Sequence, residues 1–209
     1  MVISMKITRI DTYQDCRFTQ KVLYQHGCFL VDGTPYEIEI ISDHEAVVRG
    51  ADPQIYTALI EDFRFYTPHI TRFYNESLHL IREFPAKKVF SIKLEQIQPS
   101  QFYVDEDKIA AISSFIQKPE DIIIQVLPYE NRYISLDGHT RLYYAAIMGW
   151  EAVRAVTEES DTWVYGFVDE AIKRHIRTPQ DLILVSHKEY DEKWNRYCDE
   201  FFAKVQTNI

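Results

Sequence analysis

Two kinds of hydrophobic pattern alternate along the chain. Period-two or continuous short apolar runs mark strands, and apolar positions three and four apart mark helices. Cys28-Phe29-Leu30-Val31 is apolar, Asp32-Gly33-Thr34-Pro35 is a turn, and Tyr36-Glu37-Ile38-Glu39-Ile40 alternates like a half-buried strand. After a turn at Ser42-Asp43-His44, Ala46-Val47-Val48 completes a small antiparallel meander. Asp52-Pro53 opens a helix, with Asp as N-cap, Pro in the first position, and Ile55, Leu59, Ile60 and Phe63 as the apolar face. Pro68 interrupts it. The spacing of Ile70, Phe73, Tyr74, Leu78 and Ile81 then predicts a second helix over 69–84. The mixed spacing of residues 1–27 suits one strand and one helix. Pro85-Ala86-Lys87-Lys88 reads as a boundary.

The pattern is clearest over 87–156. Val89-Phe90-Ser91-Ile92 predicts a strand and Leu94-Glu95-Gln96-Ile97 a turn of helix, broken by Pro99-Ser100-Gln101-Phe102. Residues 105–116 predict a helix with an acidic first turn and Ile109, Ile112 and Ile116 on one face. Residues 122–127 read as a buried strand, Pro128-Tyr129-Glu130-Asn131 as a turn, and 133–136 as the return strand. Asp137-Gly138-His139-Thr140-Arg141 then opens a helix that ends near Gly149, and Ala152-Val153-Arg154-Ala155-Val156 is a further strand. The remainder reads as helical: 162–175, a short helix from Thr178-Pro179-Gln180-Asp181 through Leu184, and a last helix opened by the capping box Ser186-His187-Lys188-Glu189. Tyr190, Trp194, Tyr197, Phe201 and Val205 share one face of that helix. They predict a core or helix–helix seam, with a homodimer interface as the lesser reading.

Composition changes this picture little: 209 residues, 46% hydrophobic and 26% charged, are ordinary for a folded domain. No apolar run approaches the roughly 18 residues needed to span a bilayer. Met1-Val2-Ile3-Ser4-Met5-Lys6 lacks the apolar core of a signal peptide, so a cytoplasmic location with no membrane partner is the expectation. Cys16, Cys28 and Cys198 lack CxxC spacing and read as reduced structural thiols. His175 and His187 lie near helix ends without a partner at ligand spacing, so no metal site is expected there. The net charge of −9 disfavours extended DNA binding, although Lys87-Lys88 and Lys173-Arg174-His175-Ile176-Arg177 are locally basic.

The strongest chemistry lies where the strand 133–136 runs through a Gly turn into a helix. Backbone N–H groups at a helix start are unpaired and carry partial positive charge, and Arg141 adds a fork of donors. That combination reads as an anion site, suited to phosphate. Gly138, His139, Thr140 and Arg141 are the residues that would bind the phosphate. The bland alternative is a turn followed by an N-cap. Ser100 and Gln101 divide evenly between a site role and capping the next helix.

The succession of strand, Pro99-Ser100-Gln101 loop, helix, strand, turn, strand, Asp137-Gly138-His139-Thr140-Arg141, helix with Ala145-Ala146 and Gly149, and strand resembles the ParB/sulfiredoxin fold over residues 87–156, about a third of the chain. Sulfiredoxin-like members carry a catalytic Cys where His139 stands, so their chemistry is not implied. ParB-type CTP-binding proteins carry Gly-Glu-Arg-Arg, of which this loop lacks the Glu and one Arg. The nearest branch has an Asp-Gly-x-His-Arg loop and includes kinases of free serine that use ADP or ATP. Asp137, Gly138 and Arg141 match it, and Thr140 replaces its His. Gln101 stands where those kinases place a Glu general base; an amide orients a hydroxyl but takes no proton, and Asp105 or Glu106 are the candidate substitutes.

The expectation is therefore an α+β chain: an N-terminal α+β subdomain (1–86), a ParB/sulfiredoxin-like core with a mixed sheet (87–156), and a C-terminal helical segment packed on that core (157–209). The resemblance implies binding of ATP, ADP or CTP, with Mg²⁺ as the accompanying ion. The function it implies is a kinase of a small hydroxyl substrate such as free serine, with Asp137 and Gln101 as the catalytic candidates and Ser100 beside the phosphate. The alternative is a non-catalytic nucleotide-binding switch or a ParB-type DNA-partition regulator.

Overall fold

The computed structural model describes residues 5–207, with side chains to Lys204; Met1-Val2-Ile3-Ser4, which open the leader reading, and the side chain of Val205 lie outside the described residues. The chain is α+β and divides into two compact units, 1–88 and 89–209. Among the described residues, no helix is long and apolar enough to cross a membrane.

The first unit contains β1 (Ile7–Arg9), α1 (Gln20–Tyr24), β2 (Cys28–Val31), β3 (Thr34–Ile40), β4 (Glu45–Gly50), α2 (Tyr56–Tyr66), β5 (Arg72–Tyr74) and β6 (Leu80–Glu83). The six strands form one sheet in sequence order, antiparallel except for the β4–β5 pair. A parallel pair needs a crossover, and α2 supplies it. Asp52 caps the turn leading into α2, accepting from the Gln54 N–H at 2.9 Å. Leu59, Ile60 and Phe63 of α2 share a buried cluster with Phe29, Ile38, Val48 and Phe73 of the sheet.

The helix expected over 69–84 does not form. Its apolar spacing is also met by a hairpin, and the turn chemistry decides between them. Asn75 Oδ1 accepts from the N–H groups of Ser77 and His79, and Leu78 adopts φ 58°. The open edge of β4 takes up β5, burying Phe73 and leaving Leu78 exposed. A packed edge overrides local helical spacing here.

The second unit contains β7 (Val89–Lys93), β8 (Ile97–Pro99), β9 (Tyr103–Asp105), α3 (Glu106–Ile112), β10 (Ile123–Tyr129), β11 (Arg132–Ser135), α4 (His139–Ile147), β12 (Ala152–Thr157), α5 (Trp163–Lys173) and β13 (Ile183–Val185). It ends in α6 (His187–Tyr190) and α7 (Arg196–Thr207), joined by a π-helical stretch at Asp191–Asn195. Five strands form a mixed sheet in the order β7-β12-β10-β11-β8, with β10–β12 and β11–β8 parallel. Ile112 of α3 and Leu142 and Ala145 of α4 share a buried cluster with Ile124, Val126, Val153 and Ala155 of this sheet.

Two corrections apply to this unit. The short helix expected through Leu184 is a single turn at Pro179–Asp181, followed by β13. β13 pairs in parallel with β9, a strand that local patterning also missed. The aromatic face of the last helix packs within the chain. The Phe167 ring of α5 lies 4.3 Å from Phe201 and 5.7 Å from both Trp194 and Tyr197, centroid to centroid. Phe167→Ala should therefore lower unfolding free energy by about 3–5 kcal/mol, measured by urea denaturation, because it opens the centre of this seam.

Candidate functional site

β11 delivers Ser135, and α4 begins four residues later. The turn between them requires Gly138: its φ is 81°, and a Cβ there would sit 2.8 Å from Ile124 Cγ2 and 3.0 Å from an Arg141 Nη atom. A glycine N-cap has no side chain to cap the helix, so no cap hydrogen bond forms at α4. The Leu142 N–H closes the first turn on the Gly138 carbonyl at 2.9 Å. The N–H groups of His139, Thr140 and Arg141 precede that bond and point out of the helix start. Asp137 is exposed, and Thr140 and Arg141 are partly so.

Arg141 lies across this helix start. Its Nη1 donates to the Ile123 carbonyl at 2.9 Å and its Nη2 to Asp137 Oδ2 at 3.1 Å. These bonds use two of the five guanidinium N–H groups, so the fork is aimed while retaining donors.

The His139 side chain turns the other way, into the unit, and is 6% exposed. Its Nε2 lies 2.9 Å from Ser135 Oγ and 3.3 Å from both the N–H and the Oγ of Ser100. The parallel β11–β8 register places Ser135 opposite Pro99, which brings Ser100 alongside. Ser100 Oγ donates to the Ser135 carbonyl at 2.8 Å. A backbone N–H can only donate, so the Nε2 facing Ser100 carries a lone pair and the imidazole is neutral. Burial pushes its pKa down to about 4, with the Arg141 charge acting the same way and the Asp137 charge opposing. Among the predicted binding residues, His139 thus offers the open face its backbone N–H, and Ser100 supports the junction from beneath.

Gln101 lies on a separate wall. Its amide nitrogen donates to the Tyr103 carbonyl and, at 3.3 Å, to the Tyr190 hydroxyl. Burial raises the Tyr190 pKa, aided by Cys198 and Asp105, while the Gln101 bond opposes and the Asp137 charge adds to the rise. The buried phenol is therefore within electrostatic reach of both Asp105 and Asp137.

Asp105, one candidate substitute for the missing Glu, is 1% exposed and already engaged. Oδ1 caps α3 through the Asp107 N–H at 3.0 Å, and Oδ2 lies 2.7 Å from His187 Nδ1. Glu106, the other substitute, is exposed in the first turn of α3. Sequence patterning did not single out Ser135 or Tyr190 as site residues. Ser135 is an ordinary strand residue by pattern, and Tyr190 was absorbed into the aromatic stripe.

No protein-family model matches the chain, and no curated protein matches it. Among solved structures it is similar to protein Atu1540 from Agrobacterium tumefaciens, at 16% identity and a TM-score of 0.34. That likeness covers 46% of this chain and 61% of the other, so the chain spans about three fifths of its length.

Because His139 is buried neutral, the unfolded chain binds a proton near pH 6.5 that the folded chain resists until about pH 4. Stability should thus fall as pH drops through that window, by on the order of 2–3 kcal/mol from this group. His139→Gln, which cannot titrate there, should flatten the slope in urea melts across pH 4–7. An imidazole titrating near 6.5 by NMR would sink the assignment. Gly138→Ala should cost about 1–3 kcal/mol in the same melts, through the left-handed φ and the contact with Ile124.

Proposed function

We propose that the β11–α4 junction binds the phosphate of a nucleotide, and that the second unit has a ParB/sulfiredoxin-like core. The observation that carries the reading is the uncapped start of α4, with the Arg141 guanidinium held across it by Asp137 and the Ile123 carbonyl. Unpaired N–H groups, the helix dipole and a guanidinium fork together suit a phosphate dianion. The mixed sheet, with parallel β8 and β11 ending side by side below the helix, supports the fold reading.

The activity that follows is a kinase of a small hydroxyl compound such as free serine, with ATP or ADP as donor. Its positive ends would steady the charge on the transferred phosphoryl group, which is most of what a protein contributes to this chemistry. Asp137 is the exposed carboxylate at the junction; it would hold Mg²⁺ with the nucleotide or receive the hydroxyl proton.

One observation favours the alternative, a non-catalytic nucleotide-binding switch of the ParB-type regulatory kind, with CTP among its candidate ligands. The Gln101 amide is spent on Tyr103 and Tyr190, and Asp105 is committed to His187, so neither offers a free proton acceptor, and exposed Glu106 is the remaining substitute for a general base.

Isothermal titration with ATP, ADP and CTP in the presence of Mg²⁺ should show binding to one of them, and Arg141→Ala should weaken it about tenfold or more, with the fold intact by circular dichroism. No binding of any of the three would end the reading. A bound nucleotide with no phosphorylated product from free serine or related hydroxyl compounds would select the switch.

A further inference from the structure

We propose that Arg132 and Arg177 form an oxyanion site for a phosphomonoester or inorganic phosphate, separate from the α4 junction and independent of the reading given to it. Arg132 opens β11, whose other end carries Ser135 into the junction, roughly 10 Å away at the spacing of a strand. Arg177 follows α5, in the loop before the single turn at Pro179–Asp181. The fold joins the two residues directly. Arg132 Nη2 donates to the Ile97 carbonyl of β8 at 3.0 Å and to the Arg177 carbonyl.

Three features point to an anion here. First, Arg141 and Arg174 of this unit each meet a carboxylate, at 3.1 and 2.8 Å. Among the described residues, no carboxylate oxygen lies within 4.0 Å of the Arg132 or Arg177 guanidinium, although the chain carries a net charge of −9. Second, Arg132 is partly buried, and its Nε is a buried N–H without a hydrogen-bond partner. Two carbonyls satisfy Nη2 but leave the charge itself uncompensated, and a cation drawn out of water without a counter-charge costs free energy. Its Nη1 also has no partner and is not buried, so those donors are open to a ligand. Third, the exposed Arg177 side chain has no partner, and after burial its charge is what lowers the Arg132 pKa. The Asp181 charge opposes that shift, but Asp181 Oδ2 already accepts from the N–H groups of Arg177 and Thr178 at 3.0 and 2.8 Å and from the Thr178 hydroxyl.

The donors select the ligand. Arg177 can present a bidentate fork, and Nη1 of Arg132 adds a third N–H from a fixed direction. A carboxylate or an internal phosphodiester offers two charged oxygens, which the fork alone would take up. A phosphomonoester or inorganic phosphate offers at least three, with close to two negative charges at neutral pH. Such a group would bridge both guanidiniums and bring Arg132 the counter-charge that its surroundings lack.

The test uses the full chain, with and without Arg141→Ala, and inorganic phosphate as the probe. Added in exchange for chloride at constant ionic strength, phosphate should shift the Arg132 Nε–H signal in NMR along a saturable curve, with and without Arg141. Arg177→Gln, at an exposed side chain with no partner to lose, should weaken that binding about tenfold or more. Arg132→Lys, which keeps the charge and loses the fork, should weaken it likewise when followed at the Arg177 Nε–H. No saturable shift, a shift that chloride reproduces, or binding that Arg177→Gln leaves unchanged would overturn the site. Loss of the shift in Arg141→Ala would also overturn it, by assigning the phosphate to the junction. So would an oligodeoxynucleotide without terminal phosphates that competes as well as phosphate does, since that would make the pair a phosphodiester contact.

Discussion

The junction at the start of α4 depends on one buried, neutral imidazole. His139 is the first residue of the helix, and its ring enters the unit rather than leaving it. There it meets Ser135 from the end of β11 and Ser100 from just beyond β8. Each of these polar groups would cost about 1–3 kcal/mol if buried without a partner, so they are stable only together. That mutual requirement ties two strand ends to a helix start. It also explains why a charged ring is not tolerated: the Ser100 N–H needs a lone pair to face, and an imidazolium has none.

The same logic extends to the C-terminal part of the second unit. Gln98 is buried in β8, and its amide nitrogen donates to the Pro99 and Ile176 carbonyls, both at 2.9 Å. Arg132 of β11 donates to the carbonyls of Ile97 and Arg177. Gln101 reaches Tyr190 and Asp105 reaches His187. The segment from α5 onward thus supplies hydrogen-bond partners to the strands that carry the candidate residues. It is part of the frame that positions them.

What was legible in the sequence follows the range of the forces involved. β10, β11, α4 and β12 announce themselves by patterns shorter than ten residues, and the Asp52 and Ser186 caps are local chemistry. The α+β character follows from those elements. The β9–β13 pair joins residues 80 positions apart through strands of three residues each, and no local window carries that signal. The region 69–84 misleads because Ile70, Phe73 and Ile81 satisfy helical spacing and hairpin spacing alike, and the edge of β4 breaks the tie. At the site, the junction residues could be read because a Gly turn before a helix has local consequences. Ser135 and Tyr190 could not, since each acquires its role from a partner on another element. His187 illustrates the limit best: as a lone histidine near a helix end it points to nothing, and only the fold sets two carboxylates beside it.

Arg141 and His139, two residues apart, face opposite energetic situations, and under the proposed reading this difference would suit the junction to a phosphate. The Arg141–Asp137 pair is exposed, with 32% and 51% of the two side chains open to solvent. Such pairs contribute about 0–1 kcal/mol, whereas a charge-assisted hydrogen bond contributes about 1.5–3 kcal/mol. An arriving phosphate could therefore draw the guanidinium from Asp137 at little cost while the Ile123 carbonyl still holds its other edge. His139 has no such freedom, because moving it would strand two buried serines. The rigid member keeps the helix start aimed, and in the proposed reading the exchangeable member would give a phosphate something to gain.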